Sequence, residues 1–433
     1  LVTRASSDAS FGKDVSAQFL NFPRVLILAA IILFLIGIIP AMPNLLFLSL
    51  AGGTGFMAYS LLQDERKKAA LEEERAARQA ASARAEPENL HGYYQIDLLE
   101  IEIGYNLIAL TDESQGGDLL RRLTAVRRQC VAEMGIFVRP IRIRDNLQLS
   151  PNAYVFKLKG VAAASGELMP GYYLAMDPAG RGAAVNGIPT REPTFGLQAW
   201  WVAAGEKEQA ELAGFTVVDN ATVIITHLTE FIRRHAHELM GRQEIKELID
   251  VVKEKNPAVV EELFPGLITV GEMQKVIQGL LKERVPVRDL PTIFEAVADG
   301  AHQSKDTDYL IEQARRALSR TICRQLETGE RKLSVLTLHP KLEQDIADSI
   351  RETRFGAYPV LDPQVANRLL ERLIALIEKM TLRSAAPVVL CAPRCRLPFR
   401  RLVERSFPVL TVLSYDEIPP EYEVEVVGTV TLD

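Results

Sequence analysis

The strongest hydrophobic pattern lies near the start of the chain, where no charged residue occurs between Arg24 and Asp64. Two apolar runs, residues 25–39 and 45–62, fill this stretch, and a short uncharged segment with two prolines separates them. About 20 apolar residues span the hydrocarbon core of a bilayer. The pattern therefore predicts a membrane region over residues 1–63 with two transmembrane helices arranged as a hairpin. A hairpin buried in a soluble core is the alternative, but soluble helices of this length rarely lack a polar edge.

The charges that flank the hydrophobic stretch predict its orientation. Lys13 and Arg24 precede it, and basic residues follow it at positions 66–68. Because Lys and Arg are enriched in the short cytoplasmic flanks of membrane helices, both ends of the hairpin are predicted to face the cytoplasm. The small residues at 52–55 would allow another helix to pack closely against the second span.

Residues 64–86 have a different pattern, with strong helix formers but almost no apolar stripe. Oppositely charged residues lie four positions apart, as at Asp64 and Lys68, which supports a solvated helix. Pro87 ends the run. We predict a helical linker over residues 64–90, which acts either as a spacer or as a segment that docks on a neighbouring subunit.

Beyond the linker, strand-like and helix-like periodicities alternate. Residues 96–103 have the pattern of a strand, and apolar residues at helical spacing follow up to Gly135, which suits a helix C-terminus. Further strand-like runs occur at residues 137–143, 154–161, 172–176, 200–202, 215–218, 333–338, 388–391, 409–413 and 424–430. Helices are predicted at residues 206–213, from Asp219 or Asn220 to 240, in consecutive segments across 242–326, and at 341–352 and 364–380.

These elements predict an α+β multidomain protein with four soluble subdomains after the linker. The first is mixed α/β, the second is a small ferredoxin-like α+β unit, and the third is all-helical. The fourth is α/β, because strands and helices alternate in it as in βαβ units. The predicted boundaries of the four subdomains are residues 91–170 plus 220–240, 171–219, 241–328 and 329–433, respectively.

Composition narrows the class of protein. The 433 residues include 50 Lys and Arg against 56 Asp and Glu, for a net charge of −6. This balance argues against a dedicated nucleic-acid binder, which normally carries a basic stripe. Four cysteines are too few for a disulfide framework in a chain of this length, so the soluble part is predicted to face a reducing cytosol.

No motif for catalysis emerges. The chain contains neither the phosphate-binding pattern Gly-x-x-x-x-Gly-Lys-Ser/Thr nor the nucleophile turn Gly-x-Ser-x-Gly. His235 and His237 are two positions apart, so on a helix their rings would point about 200° apart and would not share a metal ion. The spacing of Cys391 and Cys395 does not match Cys-x-x-Cys, which favours a structural pair of thiols. We predict no cofactor, no metal site and no enzymatic activity.

Two clusters each permit two interpretations. Five arginines lie close together in the sequence: Arg394, Arg396, Arg400, Arg401 and Arg405. They fit either an exposed helix face or a docking patch for an acidic partner protein. Trp200 and Trp201 are the only tryptophans, and as neighbours on a strand they face opposite sides. Core packing and a protein-binding pocket both fit this pair.

Several ordered blocks of the sequence resemble the FlhA family of flagellar type III secretion export-gate proteins. The blocks are residues 141–146 (IRIRDN), 192–197 (EPTFGL), 214–219 (GFTVVD), 241–244 (GRQE) and 285–289 (VPVRD). The resemblance runs from about residue 3 to the C-terminus and weakens after Gly329. The Phe-Gly-Leu and Gly-Arg-Gln blocks resemble the flagellar branch rather than the virulence injectisomes. By this resemblance the chain corresponds to the C-terminal portion of a family member, without six further membrane spans.

The resemblance implies a non-enzymatic component of the flagellar protein export gate. Members of this family form a nine-membered ring in the bacterial inner (cytoplasmic) membrane, as multi-pass proteins with a large C-terminal domain in the cytoplasm. The implied partners are export chaperones with bound flagellar substrates, soluble proteins of the export ATPase complex, other export-gate membrane proteins, further copies of the chain and membrane lipid. The gate passes substrates to a membrane channel by using the proton-motive force.

The resemblance also implies a binding site. The chaperone-binding groove of the family lies between the first and second subdomains, and its key residues correspond to Glu192, Phe195 and Thr226. Position 192 has Glu where the family has Asp, which keeps the charge and lengthens the reach. Phe195 would supply an apolar anchor, Glu192 a charge at the rim and Thr226 a hydroxyl near a helix start. The alternatives are an injectisome homologue with other cargo and, from another class, a membrane-tethered enzyme.

Overall fold

A computed structural model describes residues 23–38, 45–63, 67, 96–177, 185–353, 356–383 and 385–432. The chain divides into two compact units, Leu1–Gln95 and Ile96–Asp433. The linker predicted over residues 64–90 lies outside the described residues except for Lys67, so its helical character stays a prediction. The same holds for the basic flank at Lys13.

The first unit contains two apolar helices, α1 (Pro23–Ile36) and α2 (Leu45–Gln63). At 1.5 Å per residue, α1 is about 21 Å long and α2 about 28 Å. Among the described residues, only α2 is both long enough and apolar enough to cross a membrane. α1 ends at Ile36 rather than at residue 39 because Gly37, a weak helix former, follows it. The hairpin of two membrane spans therefore stays a prediction.

Small residues bring α1 and α2 together. A Cβ atom added to Gly55 on α2 would lie 3.9 Å from the Cβ atom of Ala30 on α1. A Cβ atom at Gly52 or Gly53 would meet no atom within 4 Å. The packing of a further helix against these two glycines stays a prediction.

The second unit begins with a mixed sheet and its crossover helix. The elements are β1 (Leu99–Ile103), α3 (Leu119–Met134), β2 (Arg142–Asp145), β3 (Ala153–Leu158) and β4 (Val161–Glu167). The strand order is β2-β1-β3-β4, with β1 and β2 parallel and the other pairs antiparallel. α3 connects the parallel pair and ends at Gly135, which has a φ of +77° and donates its N–H to Cys130 O and Val131 O. This confirms the predicted end of α3.

The strand predicted over residues 137–143 is wrong in its position. β2 starts only at Arg142, and residues 137–141 have no regular structure. Pro140 lacks the N–H that a ladder needs, and Val138 turns into the core instead.

A second, antiparallel sheet of four strands follows, in the order β6-β7-β5-β8. Its elements are β5 (Tyr172–Met176), β6 (Ile188–Arg191), β7 (Gln198–Ala203), α4 (Lys207–Leu212) and β8 (Thr216–Val218). α4 forms the crossover between β7 and β8. The connection from β5 to β6 includes residues 178–184, which lie outside the described residues. The ferredoxin-like character, which requires a second crossover helix there, stays a prediction.

The two tryptophans pack on opposite faces of β7. Trp201 is 6% exposed and belongs to the large core that includes the first sheet. Trp200 is half-buried and contacts Phe215 edge-to-face, with ring centroids 5.7 Å apart. Core packing is therefore the interpretation that the structure confirms for this pair.

Helix α5 (Asn220–Leu239) returns to the first sheet, where Phe231 and His227 pack on Phe156 with ring centroids 5.4 and 4.9 Å apart. Asp219 caps α5 by accepting a hydrogen bond of 2.6 Å from Thr222 N, as predicted. Six α-helices follow, with a π-helical turn (Leu263–Leu267) between the second and the third: α6 (Arg242–Lys255), α7 (Pro257–Glu262), α8 (Val270–Lys282), α9 (Leu290–Ala301), α10 (Thr307–Ala317) and α11 (Ser319–Leu326).

The C-terminal region is a parallel sheet of four strands with helices between them, which confirms the predicted βαβ-type alternation. The strand order is β13-β12-β9-β14. The elements are β9 (Lys332–Leu338), α12 (Pro340–Asp348), β10 (Ile350–Thr353), β11 (Gly356–Pro359), α13 (Pro363–Thr381), β12 (Val388–Cys391), α14 (Pro393–Val403), β13 (Thr411–Ser414) and β14 (Glu423–Val430). The helix predicted over 341–352 is too long, because residues 350–353 pair with β11 as an antiparallel hairpin.

Candidate functional site

The loop between β6 and β7, residues 192–197, is called the Phe195 loop here and is held together by its own polar groups. Both carboxylate oxygens of Glu192 accept hydrogen bonds of 2.7 Å, one from Thr194 N and one from Phe195 N. The backbone N–H of Glu192 donates to Leu197 O at 2.8 Å. Gly196 has a φ of +70°, a conformation that glycine adopts without strain. The loop therefore has a defined shape, with the side chain of Phe195 62% exposed.

Glu192 was expected as a charge at the rim, and this part of the interpretation is wrong. The residue is 4% exposed, because its carboxylate turns inward to the two backbone N–H groups of the loop. Hydrogen bonds of this kind offset the cost of burying a carboxylate. Glu192 thus shapes the loop that presents Phe195.

Thr226 lies on the outward face of α5 and is exposed. The start of this helix is fixed by Arg122 on α3, whose guanidinium donates to Asp219 Oδ2 at 2.9 Å and to Thr222 Oγ1 at 2.7 Å. The other face of α5 is apolar and buried against the first sheet. Thr226 therefore lies on a well-anchored helix, one turn beyond the contacts of Arg122 with Asp219 and Thr222.

The structure brings the Phe195 loop onto the helix that carries Thr226. Arg234 on α5 donates from Nη2 to Thr194 O at 3.2 Å. Thr226, Glu230 and Arg234 are spaced four residues apart and so share one face of α5, with Thr226 about 12 Å along the axis from Arg234. The sequence interpretation missed Arg234 and Glu230, although this spacing from Thr226 was visible in it. The site spans the first and second sheets.

Beneath the loop lies a buried polar pair, Tyr154 and His227. The Tyr154 hydroxyl is 2.7 Å from His227 Nδ1. Burial lowers the pKa of His227, and the positive charge of Arg234 lowers it further, while Glu192 acts in the opposite direction. Burial raises the pKa of Tyr154, and the charge of Glu192 adds to this shift. Both side chains are consequently neutral at pH 7, and they form part of the rigid base of the site.

Comparison with known proteins decides the family. A family model described as FHIPEP matches residues 1–423 of the chain. The chain belongs to the FHIPEP family.

The flagellar biosynthesis protein FlhA of Bacillus subtilis (strain 168) is 41% identical to this FHIPEP chain over 432 residues, which is 100% of this chain and 64% of that protein. The chain thus spans less than two thirds of the length of this relative. The solved structure of the Chlamydia pneumoniae CdsV protein has a TM-score of 0.71 and 26% identity, and covers 80% of this chain and 100% of that chain.

Two further solved structures match this FHIPEP chain. The first is the complex of the Chlamydia pneumoniae proteins CdsV and CdsO, with a TM-score of 0.69 and 27% identity, covering 78% of this chain and 99% of that chain. The second is nonameric EPEC SctV-C, with a TM-score of 0.65, 23% identity and the same two coverages. At this lower identity the second match shows a shared fold alone.

The arginine cluster at residues 394–405 was predicted to be either an exposed helix face or a docking patch. For its central members, Arg396 and Arg400, both interpretations are wrong. Arg396 is 0% and Arg400 7% exposed, so they form neither an exposed helix face nor an open docking patch. Arg396 donates to both oxygens of Glu283, at 2.7 and 3.2 Å, and forms a bidentate pair with Glu312. Carboxylates from distant segments thus pair with Arg396, which spacing along one helix does not reveal, whereas Arg400 donates to the carbonyl oxygens of Phe407, Pro408 and Leu410.

We call the group formed by Glu283, Glu312, Arg315, Arg396 and Glu417 the buried ion cluster. Arg315 is 0% exposed and binds Glu283 at 3.2 Å and Glu417 at 2.7 Å. Burial by itself would raise the pKa of Glu283, but Arg315 and Arg396 outweigh it and lower this pKa to about 2. For Glu312 burial dominates, so its pKa is raised despite Arg396. The cluster joins the helices after α5 to the C-terminal sheet region.

The remaining candidate groups carry no evident chemistry. Among the described residues, no group of three or more His, Cys, Asp and Glu side chains is arranged to hold a metal ion. His235 Nδ1 is 2.7 Å from Glu238 Oε1, whereas the Nδ1 atom of His237 is buried and has no hydrogen-bond partner within the described part of the chain. Cys391 and Cys395 are buried free thiols, and burial raises the pKa of each.

A cavity of about 300 Å³ lies where the end of α3, the end of α8 and helix α11 meet the C-terminal sheet. Its walls are mostly apolar, with Met134, Val285 and Ile322 among them, and Glu133 and Arg233 form an ion pair at 2.6 Å beside it. None of Glu192, Phe195 and Thr226 lines this cavity. It is separate from the surface described above.

Proposed function

We propose that this chain is a membrane-anchored docking component of a flagellar type III protein export gate. Its identity of 41% with a flagellar biosynthesis protein supports flagellar cargo. The observation that carries the docking role is an aromatic side chain, Phe195, which is 62% exposed on a loop whose shape is set by four hydrogen bonds that involve Glu192. No enzymatic activity is part of this proposal.

The Phe195 loop and Thr226 form the proposed site for export chaperones with bound flagellar substrates. Large aromatic side chains contribute much of the energy at protein interfaces. Because hydrogen bonds to Glu192 already order the Phe195 loop, binding of a partner would cost little conformational entropy in the loop. Leu197, which is 52% exposed, extends the apolar surface beside Phe195. Thr226 adds a hydroxyl on the rigid helix α5.

The remaining partners are proposed on the resemblance and on the likeness to relatives. The complex of CdsV with CdsO supports binding of a soluble partner protein, which we propose to be a component of the export ATPase complex. We propose that the chain assembles as a nine-membered ring and contacts other export-gate membrane proteins. Proton-motive force would then drive the transfer of docked substrates into the channel.

We propose that the protein resides in the bacterial inner membrane as a multi-pass protein with residues 91–433 in the cytoplasm. The apolar helix α2 supports this location. The apolar helix α1 would form the second arm of the membrane hairpin, and residues 64–90 the helical linker. The soluble part would consist of four subdomains with boundaries at residues 91–170 plus 220–240, 171–219, 241–328 and 329–433, the second of them ferredoxin-like.

The test is calorimetric titration of the full chain in detergent with a flagellar chaperone of the same organism, alone and loaded with its cargo. We expect Phe195→Ala to weaken binding of the loaded chaperone by about 30-fold, which corresponds to about 2 kcal/mol for a central aromatic contact. The matched control is Leu212→Ala on α4, an apolar residue that is 89% exposed and lies outside the loop. Equal affinities for wild type and Phe195→Ala would remove the loop from the docking surface.

A further inference from the structure

A buried carboxylate next to the Phe195 loop holds two arginines that come from different parts of the fold. Glu230 on α5 is 8% exposed. Its Oε1 atom accepts from Arg234 Nε at 3.1 Å and from Arg284 Nη2 at 3.0 Å. Arg234 belongs to the same helix, whereas Arg284 follows the end of α8. Glu230 therefore connects the loop-bearing region with the helical region.

Arg234 divides its guanidinium between two acceptors. Its Nε group binds Glu230, and its Nη2 group donates to Thr194 O in the Phe195 loop at 3.2 Å. A guanidinium prefers to bind a carboxylate with two parallel N–H groups, and in arginine the Nε and Nη2 groups form one such pair. In this chain the Nη2 group binds Thr194 O instead, while Arg284 shares the Oε1 atom of Glu230 with Arg234 Nε. Arg284 therefore helps to fix the carboxylate against which Arg234 is oriented.

The position of Arg284 is in turn set by the end of α8. Arg284 has a φ of +60°, and its N–H donates to Leu281 O at 3.0 Å. The preceding residue, Glu283, is held by Arg315 and Arg396 in the buried ion cluster. Arg284 is thus attached to the junction between the helical region and the C-terminal sheet region.

We propose that Arg284 is a positioning residue for the Phe195 loop, acting through Glu230 and Arg234 although it does not touch the loop. By binding Glu230 Oε1 from the other side, Arg284 fixes the orientation of this carboxylate and, through it, the orientation of Arg234, whose Nη2 group holds Thr194. Without Arg284, Glu230 is held by Arg234 alone, both side chains can reorient, and the contact with Thr194 weakens. The importance of this arrangement for docking rests on the proposed function, but the geometric coupling does not.

The test is hydrogen–deuterium exchange of the full chain in detergent, followed by mass spectrometry of peptides that cover the Phe195 loop. The Arg284 side chain is 36% exposed and Glu230 keeps Arg234 as a partner, so loss of this ion pair costs a modest amount of free energy, and we expect Arg284→Met to speed exchange in these peptides about threefold. Arg234→Met should speed it at least as much. Because both act through one contact, the double variant should exchange no faster than Arg234→Met alone.

Arg288→Met is the matched control. Arg288 lies four residues further along the same segment, is exposed, and donates to Ala132 O at 3.3 Å rather than to Glu230. Its substitution should leave exchange in the loop unchanged. Unchanged exchange in Arg284→Met or in Arg234→Met would overturn the proposal, as would additive effects in the double variant.

No chaperone takes part in this exchange measurement, so its result is independent of the docking test. If Arg284→Met speeds exchange in the loop but Phe195→Ala leaves the affinity for the chaperone unchanged, the positioning role stands and the docking role is wrong.

Discussion

Replacing Arg396 by methionine removes the guanidinium at the centre of the buried ion cluster while keeping a flexible side chain of similar length. Arg396 is 0% exposed and bonds to both Glu283 and Glu312. After the change Glu283 retains Arg315 at 3.2 Å, whereas Glu312 loses its bidentate partner. Removal of one member of a buried ion pair costs about 3–5 kcal/mol. Since Glu312 is 24% exposed in its side chain, we expect the lower end, about 3 kcal/mol at pH 7.

Urea unfolding of the full chain in detergent measures this loss. Far-UV circular dichroism follows the helical regions, whereas the fluorescence of Trp200 and Trp201 reports on the second sheet and the core beside it, away from the ion cluster, so the dichroism midpoint should fall further. The pKa of Glu312 is already raised, so this carboxylate protonates readily when Arg396 is absent. We therefore expect the loss to shrink between pH 7 and pH 5.

The matched control is Arg383→Met, which breaks an ion pair with Glu425 at 3.7 Å in which both side chains are about half exposed. Such surface pairs contribute about 0–1 kcal/mol. If Arg396→Met costs no more than this control, or if its cost does not depend on pH, the assignment of the cluster as a buried stabilising contact is wrong.

Two further predictions concern the core around the site. Gly135→Ala should cost about 2 kcal/mol in the same unfolding assay, because φ is +77° and the new Cβ would lie 2.4 Å from Arg288 N; an unchanged midpoint would show that the backbone there can shift freely. Burial lowers the pKa of His227 in the folded protein, so as the pH falls below about 6.5 this histidine is protonated more readily in the unfolded state than in the folded state. The free energy of unfolding should therefore fall as the pH drops from 7 to 5.5. His227→Phe should make the unfolding midpoint less dependent on pH over this range, and an unaltered dependence would assign it to other groups such as His237, whose pKa burial also lowers.

Elements with a strong local signal were predictable from sequence. The start of α5 at Asp219 and the end of α3 at Gly135 agree with the structure because each depends on residues within about one helical turn. β2 and the end of α12 were misplaced. In both cases the local sequence pattern extends beyond the element, and its limit is set by Pro140 before β2 and by the pairing of β10 with β11 after α12.

The candidate site was only partly predictable. The resemblance to a known family pointed to Glu192, Phe195 and Thr226, and the structure places the Phe195 loop on the helix that carries Thr226. The inward turn of Glu192 was not foreseen, since a charged residue in a polar loop is normally exposed. Arg234, Glu230 and Arg284 were missed because their common contact joins segments that are up to 54 residues apart.

The sequence by itself determined the apolar runs, most helices and strands, the net charge and the family, because these depend on composition and short-range order. Tertiary structure decided which charges are paired. Arg394 is exposed, as a basic helix face predicts, whereas Arg396 on the same helix is fully buried between Glu283 and Glu312. The physical reason is that a charged side chain can be buried only where hydrogen-bonding partners of opposite charge or polarity surround it. The partners of Arg396 come from distant segments, and no pattern along one helix specifies them.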